Sequence, residues 1–574
     1  MPVHNSDIAE KFEMMADLLE IKGANQFRIR AYRDAARMIN GLPKSASDMI
    51  EKGEDLTKLH GIGKDLAGKI EEIIENETFK DLEKLKKEVN PDLAKLMKIQ
   101  NLGARRIKKL HDELGIVTFD DLKNACETDK IKDLEGFGEK TQKKILEKVN
   151  QIIGAGEEER TQLARAERTV IPLLDHMKKL DHINSIDIAG SYRRRKETVG
   201  DVDILITCKN GKEAIDHFVE YEDVKEVVSK GETKSTIILK SGLQVDLRVV
   251  QKVSYGAALL YFTGSKAHNI TLRKIGMDND WKINEYGVFE DDKRIAGKTE
   301  KEIYDLFDMD FIPPELRENN GEVEAALNGE LPELVNLEDI RGDLHCHTSE
   351  TDGHSTLEEM VKAAQDKGYL YLAITDHSPN IAVTKGLNKE KLLKQMEQID
   401  KMNGKIDRFH VLKGIEVDIL EDGSLDLPDD VLEKCDVVVA SVHSKMNLSR
   451  DKQTKRILKA MDNPHVNIIG HPTCRKIGER EGLDLNLEKI MEEARERGVF
   501  LEINSYPERM DLPDRYCKMA GETGVKVAIS TDAHKTQDLD YVRFGLDNAR
   551  RGWLKSDDII NTRNWRDLKK LLKR

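Results

Sequence analysis

The sequence predicts a chain of several domains, with an all-α amino-terminal region, an α+β middle and a carboxy-terminal α/β barrel, and three observations predict it. Near the start, apolar residues (Ile8, Phe12, Met15, Leu18, Leu19) recur at helical spacing, and glycines break up the helices that follow. From about residue 183 the pattern turns to strand-like segments, IDIAG, VDILI, STIILK and QVDLRVV, interleaved with helical ones. After residue 341 come the apolar runs YLAIT, VLKGIEV, DVVVASV, VNIIG, VFLEI and VKVAIS, with helices between them. Continuous rather than alternating runs suit parallel strands buried on both faces, hence a barrel or related α/β layer. At 574 residues the chain has room for about four domains.

Composition narrows the class. Charged residues make up 35% and aromatics 5%, and no stretch of ~18 apolar residues exists to span a membrane. The start, MPVHNSDIAE, lacks a basic and then apolar leader, and the six cysteines form no C-x-x-C pair. A reducing, cytoplasmic setting is expected. The net charge of −14 argues at first against a nucleic-acid partner. The excess acid, however, sits in one stretch, since residues 301–340 hold twelve Asp and Glu against two Lys and Arg. That stretch includes ENNGEVEAALNGELPELVNLED and reads as a polar linker between near-neutral regions with basic clusters, so global charge decides nothing.

In the helical region a sequence weakly repeats: LHGIGKDLAGKI at 59–70, IQNLGARRIKKL at 99–110 and LEGFGEKTQKKI at 134–145. Each has a glycine turn opening a helix that carries Lys or Arg. Free backbone N–H groups and a positive helix end can there meet a phosphate without reading bases. One such turn would be an ordinary helix cap; three, each followed by cations, favour a DNA-backbone contact through Gly61, Gly63, Gly103, Gly136 and Gly138. The middle copy has Asn101 where the others have Gly. The repeats resemble helix-hairpin-helix motifs.

The densest signal is GSYRRRKETVGDVDILI at 190–206, followed by VDLRVV at 245–250. Asp201 and Asp203 lie two apart on an expected strand and so point to one face, and Asp246 shares that alternation on a nearby strand. Three converging carboxylates need counter-charge, which two Mg²⁺ ions would supply, one activating an attacking hydroxyl and one holding a triphosphate. Ser191 and Arg194, on the Gly190 turn, are placed to bind the phosphates.

These residues resemble the family X DNA polymerases, within the wider nucleotidyltransferases. YFTGSKAHNITLR at 261–273 and INEYG at 283–287 are similar to that family's nucleotide-binding thumb. The resemblance implies that Tyr261, Phe262 and Gly264 line the sugar pocket, that Asn269 contacts the incoming base and that Arg273 reaches the nascent pair or template. It implies a gap-filling repair polymerase in which Asp246 helps to deprotonate the primer 3′-hydroxyl. Arg195 stands where some relatives carry Gly. FRIRAYRDAAR at 27–37, with Arg28 and Tyr32, resembles the family's 5′-phosphate and lyase module, and Lys69 aligns with its Schiff-base lysine. Amine chemistry there needs a depressed Lys69 pKa, expected from Arg28 or Arg33; Asp81 stands where relatives have a further Lys.

A third block follows the apolar runs of the last domain: GDLHCHT at 342–348, Asp352, TDH at 375–377, GIEVD at 414–418, SVHS at 441–444, GHP at 470–472 and STDAH at 530–534. Strand ends of a parallel barrel open on one face, so His345, His347, Asp352, His377, Glu416, His443, His471, Asp532 and His534 can converge. Nine ligands exceed one tetrahedral ion and point to two or three, Zn²⁺ or Mn²⁺. Asp376 and Lys445 stand beside the set, where a supporting bond and a cap or surface role are both open. The set resembles the PHP (polymerase and histidinol phosphatase) family over 341–574, a TIM-like barrel of seven strands, and implies metal-dependent hydrolysis of a phosphoester.

Together these resemblances imply a family X DNA polymerase with a carboxy-terminal PHP domain. Its expected domains are 1–88 (5′-phosphate and lyase-like), 89–150 (helix-hairpin-helix fingers), 151–250 (palm), 251–315 (thumb), 316–340 (acidic linker) and 341–574 (PHP). The expected partners are dNTPs and gapped or nicked DNA with a 5′-phosphate. The polymerase site would use two Mg²⁺ or Mn²⁺ ions, and the chain would act as a monomer. The barrel is expected to give 3′-to-5′ exonuclease activity, with abasic or blocked 3′ ends as further substrates. The alternative is a polymerase-like nucleotidyltransferase whose barrel hydrolyses small phosphoesters.

Overall fold

Helices whose apolar residues recur every three or four positions, as in Asn5–Lys22, build the first of two units in the computed structural model, Met1–Glu159; the second is Arg160–Arg574. The structure describes residues 3, 5–42, 44–97, 99, 102–155, 160–380 and 384–573, so Asn101 lies outside the described residues. In the first unit, Ile8, Phe12, Met15, Leu18 and Leu19 form the buried stripe of helix Asn5–Lys22, which meets Ile29, Tyr32, Ala35 and Ile39 of helix Gln26–Gly41. The rings of Phe12, Tyr32 and Phe79 cluster at centroid distances of 5.7 to 6.3 Å. A second apolar cluster gathers Leu96, Ile107, Leu110, Leu122, Ile131 and Val149.

The second unit begins with a five-stranded sheet in the order Ile183–Ile188, Asp201–Cys208, Gln244–Val249, Lys234–Leu239, Val224–Lys230. Asp201–Cys208 and Gln244–Val249 run parallel and the remaining pairs antiparallel. Alternation decides which side chains do what. Val202, Ile204, Ile206, Val245 and Leu247 enter a core with helices Leu163–Met177 and Gly211–Val219, which leaves the alternate positions, including Asp203 and Asp246, on the opposite face. That face is flanked by helices Tyr255–Thr263 and Lys266–Asp278 and a three-stranded antiparallel sheet, Trp281–Asn284, Gly287–Glu290 and Lys293–Ala296.

The stretch read as an acidic linker at 316–340 is packed structure instead. Val323 and Ala326 join the thumb core and Val335 the barrel core, while Arg317 and Glu322 are wholly buried. Arg317 donates to Glu300 at 2.6 Å, Glu300 also accepts from Arg193 at 2.7 and 2.8 Å, and Glu322 pairs with His268 at 2.7 Å. The charges that suggested a solvated segment are thus neutralised inside, by partners distant in sequence. Arg317→Met leaves Glu300 buried with half its compensation. It is expected to cost about 3 kcal/mol, read from denaturant unfolding of the whole chain.

In the last part, seven parallel strands follow in chain order: Gly342–Asp343, Tyr371–Ile374, His410–Asp418, Val437–Ser441, Ile468–Ile469, Phe500–Asn504 and Val527–Ser530. A parallel pairing of Cys346 with Ala533 ties the first segment to the last. Val437 and Val439 sit in a different apolar cluster from Val438 and Ala440, which is why these strands read as unbroken apolar runs. Barrel and palm share a core: Met510 and Phe544 are buried in the same cluster as Leu163, Val202 and Leu247.

Candidate active sites

Each hairpin turn presents bare backbone. Gly61 and Gly136 adopt φ of +80° and +86°, and Gly63 and Gly103 begin the helices Lys64–Asn76 and Ala104–Leu114 with no side-chain cap. No heavy atom lies within 4 Å of where a Cβ would stand at Gly61, Gly63, Gly103, Gly136 or Gly138, so a phosphate can reach the N–H groups. Lys69 is buried beside them and pairs with Asp65 and, at 3.5 Å, with Asp81. The Tyr32 ring lies 6.0 Å from its Nζ. Burial works against the Lys69 charge, but the Asp65 bond, Tyr32 and Asp81 outweigh it and raise the pKa. The expected depression is therefore absent. Of the cations meant to cause it, Arg33 is engaged by Asp17 and Glu20, and Arg28 shares with Lys69 the Asp81 carboxylate, at 3.5 Å from each.

On the palm sheet, Asp203 and Asp246 are direct register partners, with Asp201 two residues before Asp203. Arg248 lies 3.8 Å from Asp203 and 3.6 Å from Asp246, and Lys234 is 3.2 Å from Asp246. Burial, and then the charge of Asp201, push the Asp203 carboxyl up to about 6 against the pull of Arg248. Asp203, pushed up by burial and by its neighbouring carboxylate, has room for added positive charge beside it, the condition a divalent cation satisfies. The short helix Gly190–Arg193 abuts this cluster: Gly190 has φ +66°, and a Cβ there would lie 3.2 Å from Asp203 Oδ2. Ser191 is half-buried on that turn. Arg194 donates to Glu318 at 3.0 Å and to the Thr263 carbonyl at 2.5 Å, and its Nη1 lies 3.2 Å from a Cβ built on Gly264.

The thumb residues close the other side. Tyr261 and Phe262 meet edge to face at 5.0 Å, Arg248 lies over the Phe262 ring at 4.2 Å and Arg273 over Tyr261 at 5.2 Å. Asn269 donates to the Tyr261 carbonyl at 2.7 Å.

In the barrel, the nine expected side chains form one connected pocket. His347 Nε2 lies 3.2 Å from His345 Nε2 and 3.1 Å from Asp532 Oδ1. His377 bridges Glu416 at 2.8 Å and Asp352 at 3.3 Å. His471 and His443 approach Glu416 at 3.2 and 3.4 Å, and His534 lies 3.5 Å from Asp352. Three groups close to within 4.8 Å: His347, Asp352, His377 and His534; His345, His347 and Asp532; and His377, Glu416 and His443.

The donor chemistry fits divalent cations. Two imidazole nitrogens at 3.2 Å face each other, and the buried atoms His347 Nδ1 and Asp352 Oδ1 have no hydrogen-bond partner. Burial alone would lower the imidazole pKa values. Yet Glu416 and Asp352 raise His377 to about 10, Glu416 and Asp418 raise His443 to about 9, and Asp352 and Asp532 raise His534 to about 9. Burial, His534 and His377 together lower His347 to about 4.

Sequence reasoning missed the side chains that orient these donors. Glu502 accepts from His345 Nδ1 at 2.7 Å and from the His471 N–H at 2.6 Å, and Asp418 accepts from His443 Nδ1 at 2.6 Å. Asp418 carried a signal, since it follows Glu416 by two on one strand and shares its face. Asp376 accepts from the Thr348 N–H and hydroxyl, Thr351 and Gln395, and so pins the loop that carries His347 and Asp352. Lys445 is largely exposed, with Glu421 at 3.7 Å.

Five segments match known families: a helix-hairpin-helix domain at 3–79, a SAM-like helix-hairpin-helix tandem at 93–150, the DNA polymerase beta palm at 160–270, the DNA polymerase beta thumb at 258–318 and the PHP domain at 343–506. The chain is 39% identical over 577 residues to the DNA polymerase/3′-5′ exonuclease PolX of Bacillus subtilis (strain 168), an alignment covering 100% of both. It is also 34% identical over 231 residues to a probable phosphatase of Thermoanaerobacter sp. (strain X514), covering 38% of this chain and 89% of that one. A probable phosphatase of Caldanaerobacter subterraneus subsp. tengcongensis is 35% identical over 204 residues, 33% of this chain and 75% of its own.

Proposed function

The chain belongs to the family X DNA polymerases that carry a carboxy-terminal PHP domain, and from that premise we propose that it fills short gaps during DNA repair, adding dNTPs at the palm and trimming 3′ ends at the barrel. It is a DNA polymerase with a 3′-to-5′ exonuclease, and both sites depend on divalent metal. The observation that carries this reading is the presence, within one chain, of a carboxylate trio on the palm sheet and a nine-donor pocket in the barrel. Similarity along the full length of a polymerase with exonuclease activity favours it over a barrel acting on free small phosphoesters.

At the palm, Asp201, Asp203 and Asp246 would hold two Mg²⁺ or Mn²⁺ ions, which when bound supply the charge that neutralises the triphosphate. Asp246, with Lys234 at 3.2 Å and Arg248 at 3.6 Å, accepts the proton of the primer 3′-hydroxyl. Ser191, Arg194 and the N–H groups of the Gly190 turn hold the triphosphate, Tyr261, Phe262 and Gly264 shape the sugar pocket, and Asn269 and Arg273 face the base pair. At the barrel, the nine donors would hold two or three Zn²⁺ or Mn²⁺ ions, with Glu502 and Asp418 fixing the imidazoles of His345 and His443.

The hairpin glycines with Arg28 bind the DNA backbone and the 5′-phosphate of a gap, whereas Tyr32, expected beside them, is only 2% exposed and packs in the helical core with Phe12 and Phe79. Lys69 belongs to this contact as a cation, because Asp65 and Asp81 favour its charged form over the free amine a lyase needs. Lys69→Ala should weaken binding to a 5′-phosphorylated gap by about fivefold. Borohydride trapping on an incised abasic duplex should give no Lys69-dependent adduct; an adduct that Lys69→Ala abolishes would restore the lyase reading.

Among the described residues no helix is long and apolar enough to cross a membrane. All six cysteines are free. The function is tested by extension of a gapped 5′-phosphorylated duplex with dNTPs, beside a panel of single-stranded, 3′-phosphate and abasic ends and a small phosphomonoester. Hydrolysis confined to the phosphomonoester would favour the alternative.

A further inference from the structure

Arg195 has φ +56°, a conformation in which an L side chain is strained and glycine is at ease. An arginine persists there with its guanidinium engaged on both sides, by Glu167 at 2.7 Å and by Asp547 at 2.7 and 2.9 Å. Asp547 belongs to the barrel helix Val542–Arg551, and a second residue of that helix, one turn on, reaches the same palm loop. Arg551 Nη1 donates to the Arg194 carbonyl at 2.7 Å and to Glu318 at 3.2 Å, while Asp514 anchors the rest of its guanidinium at 2.6 and 2.9 Å. Asp547 and Arg551 are both buried. One barrel helix therefore holds the backbone of Arg194, the side chain of Arg195 and the carboxylate that occupies the Arg194 guanidinium.

From this geometry we infer that Asp547 and Arg551 of the barrel are positioning residues for nucleotide binding at the palm, and that Glu318 is the internal anion which an incoming triphosphate displaces from Arg194. The inference rests on the assignment of Arg194 to the triphosphate. For Arg194 to turn to a phosphate its Nε must leave Glu318 and its Nη1 the Thr263 carbonyl, of which only Glu318 carries a charge. A half-buried carboxylate abandoned in that way would be costly, but Arg551, with Lys196 at 4.0 Å, keeps Glu318 paired. The two arginines thus share one carboxylate, and the barrel arginine releases the palm arginine for substrate. Without Arg551, Glu318 would grip Arg194 more firmly and oppose the triphosphate.

The test uses the full-length protein with single-nucleotide incorporation into a gapped duplex. Arg551→Met is expected to raise the KM for dNTP about tenfold, equivalent to about 1.4 kcal/mol, with kcat within about threefold of the parent. Hydrolysis of bis(p-nitrophenyl) phosphate, which reports on the barrel, should stay within about twofold. Glu318→Gln in the same chain removes the competing anion and should return the KM to within about threefold of the parent, a rescue that a packing role would not give. Glu318→Gln alone should lower the KM, and it carries the test should Arg551→Met fail to fold. An unchanged KM in Arg551→Met, no rescue by Glu318→Gln, or no decrease in Glu318→Gln alone overturns the inference. If the parent protein itself incorporates no nucleotide, the polymerase reading falls, and this inference with it.

Discussion

Asp246→Ala is expected to reduce dNTP incorporation by three to four orders of magnitude, the scale of losing a proton acceptor and a cation-binding carboxylate together. The expectation follows from the register. Asp203 and Asp246 are opposed across two parallel strands whose alternate residues fill the core, so neither carboxylate can turn away without slipping a whole strand. Lys234 and Arg248 stay behind, and in Asp246→Ala they face only Asp201 and Asp203, leaving the site with its cations but without its acceptor. Fold should survive, because Asp246 lies on the face opposite the sheet core. Asp246→Asn should be nearly as inactive, since an amide keeps the shape and loses the charge. Single-turnover incorporation into a gapped duplex checks both, with 3′ trimming of single-stranded DNA remaining within about threefold of the parent.

His345→Ala should have the converse effect and remove 3′ trimming by about a thousandfold while gap filling persists. His345 is engaged at both ring nitrogens. Its Nε2 lies near His347, Glu416 and Asp532 at 3.2, 3.5 and 3.8 Å, and its Nδ1 is fixed by Glu502. Removing it takes away a donor shared between two carboxylates and strips Glu502 of its partner. Bound metal measured by plasma mass spectrometry should fall by at least one ion per chain. Glu502→Gln keeps all nine donors and loosens only the bonds that hold His345 and His471, so a drop of about ten- to a hundredfold is expected, with partial recovery at high metal concentration.

Much of this was legible in the residues. Strand alternation places Asp201 and Asp203 on one face, and the rule that barrel strands open at one end gathers nine side chains spread from 345 to 534. What stayed hidden depends on partners far away in the chain. Glu502 sits inside the apolar run VFLEI with nothing beside it to announce His345, which lies 157 residues earlier. The Lys69 pKa is raised first by Asp65 on its own helix and then by Tyr32 and Asp81, which other helices bring up to it. The stretch 316–340 read as solvated because burial of Arg317 and Glu322 requires Glu300 and His268, and pairing of that kind leaves no periodic trace. Arg195 was visible only as an odd residue at a glycine position until Asp547, 352 residues later, supplied its reason.

The central claim is that two metal-dependent centres in one polypeptide do opposite work on a DNA 3′ end. The most direct measurement is a single time course on a labelled, gapped, 5′-phosphorylated duplex with dNTPs and divalent metal, run for Asp246→Ala and His345→Ala side by side. The account predicts that the Asp246→Ala primer only shortens and the His345→Ala primer only lengthens. Loss of both activities in either variant, or a His345→Ala protein that still trims at the parent rate, would contradict it.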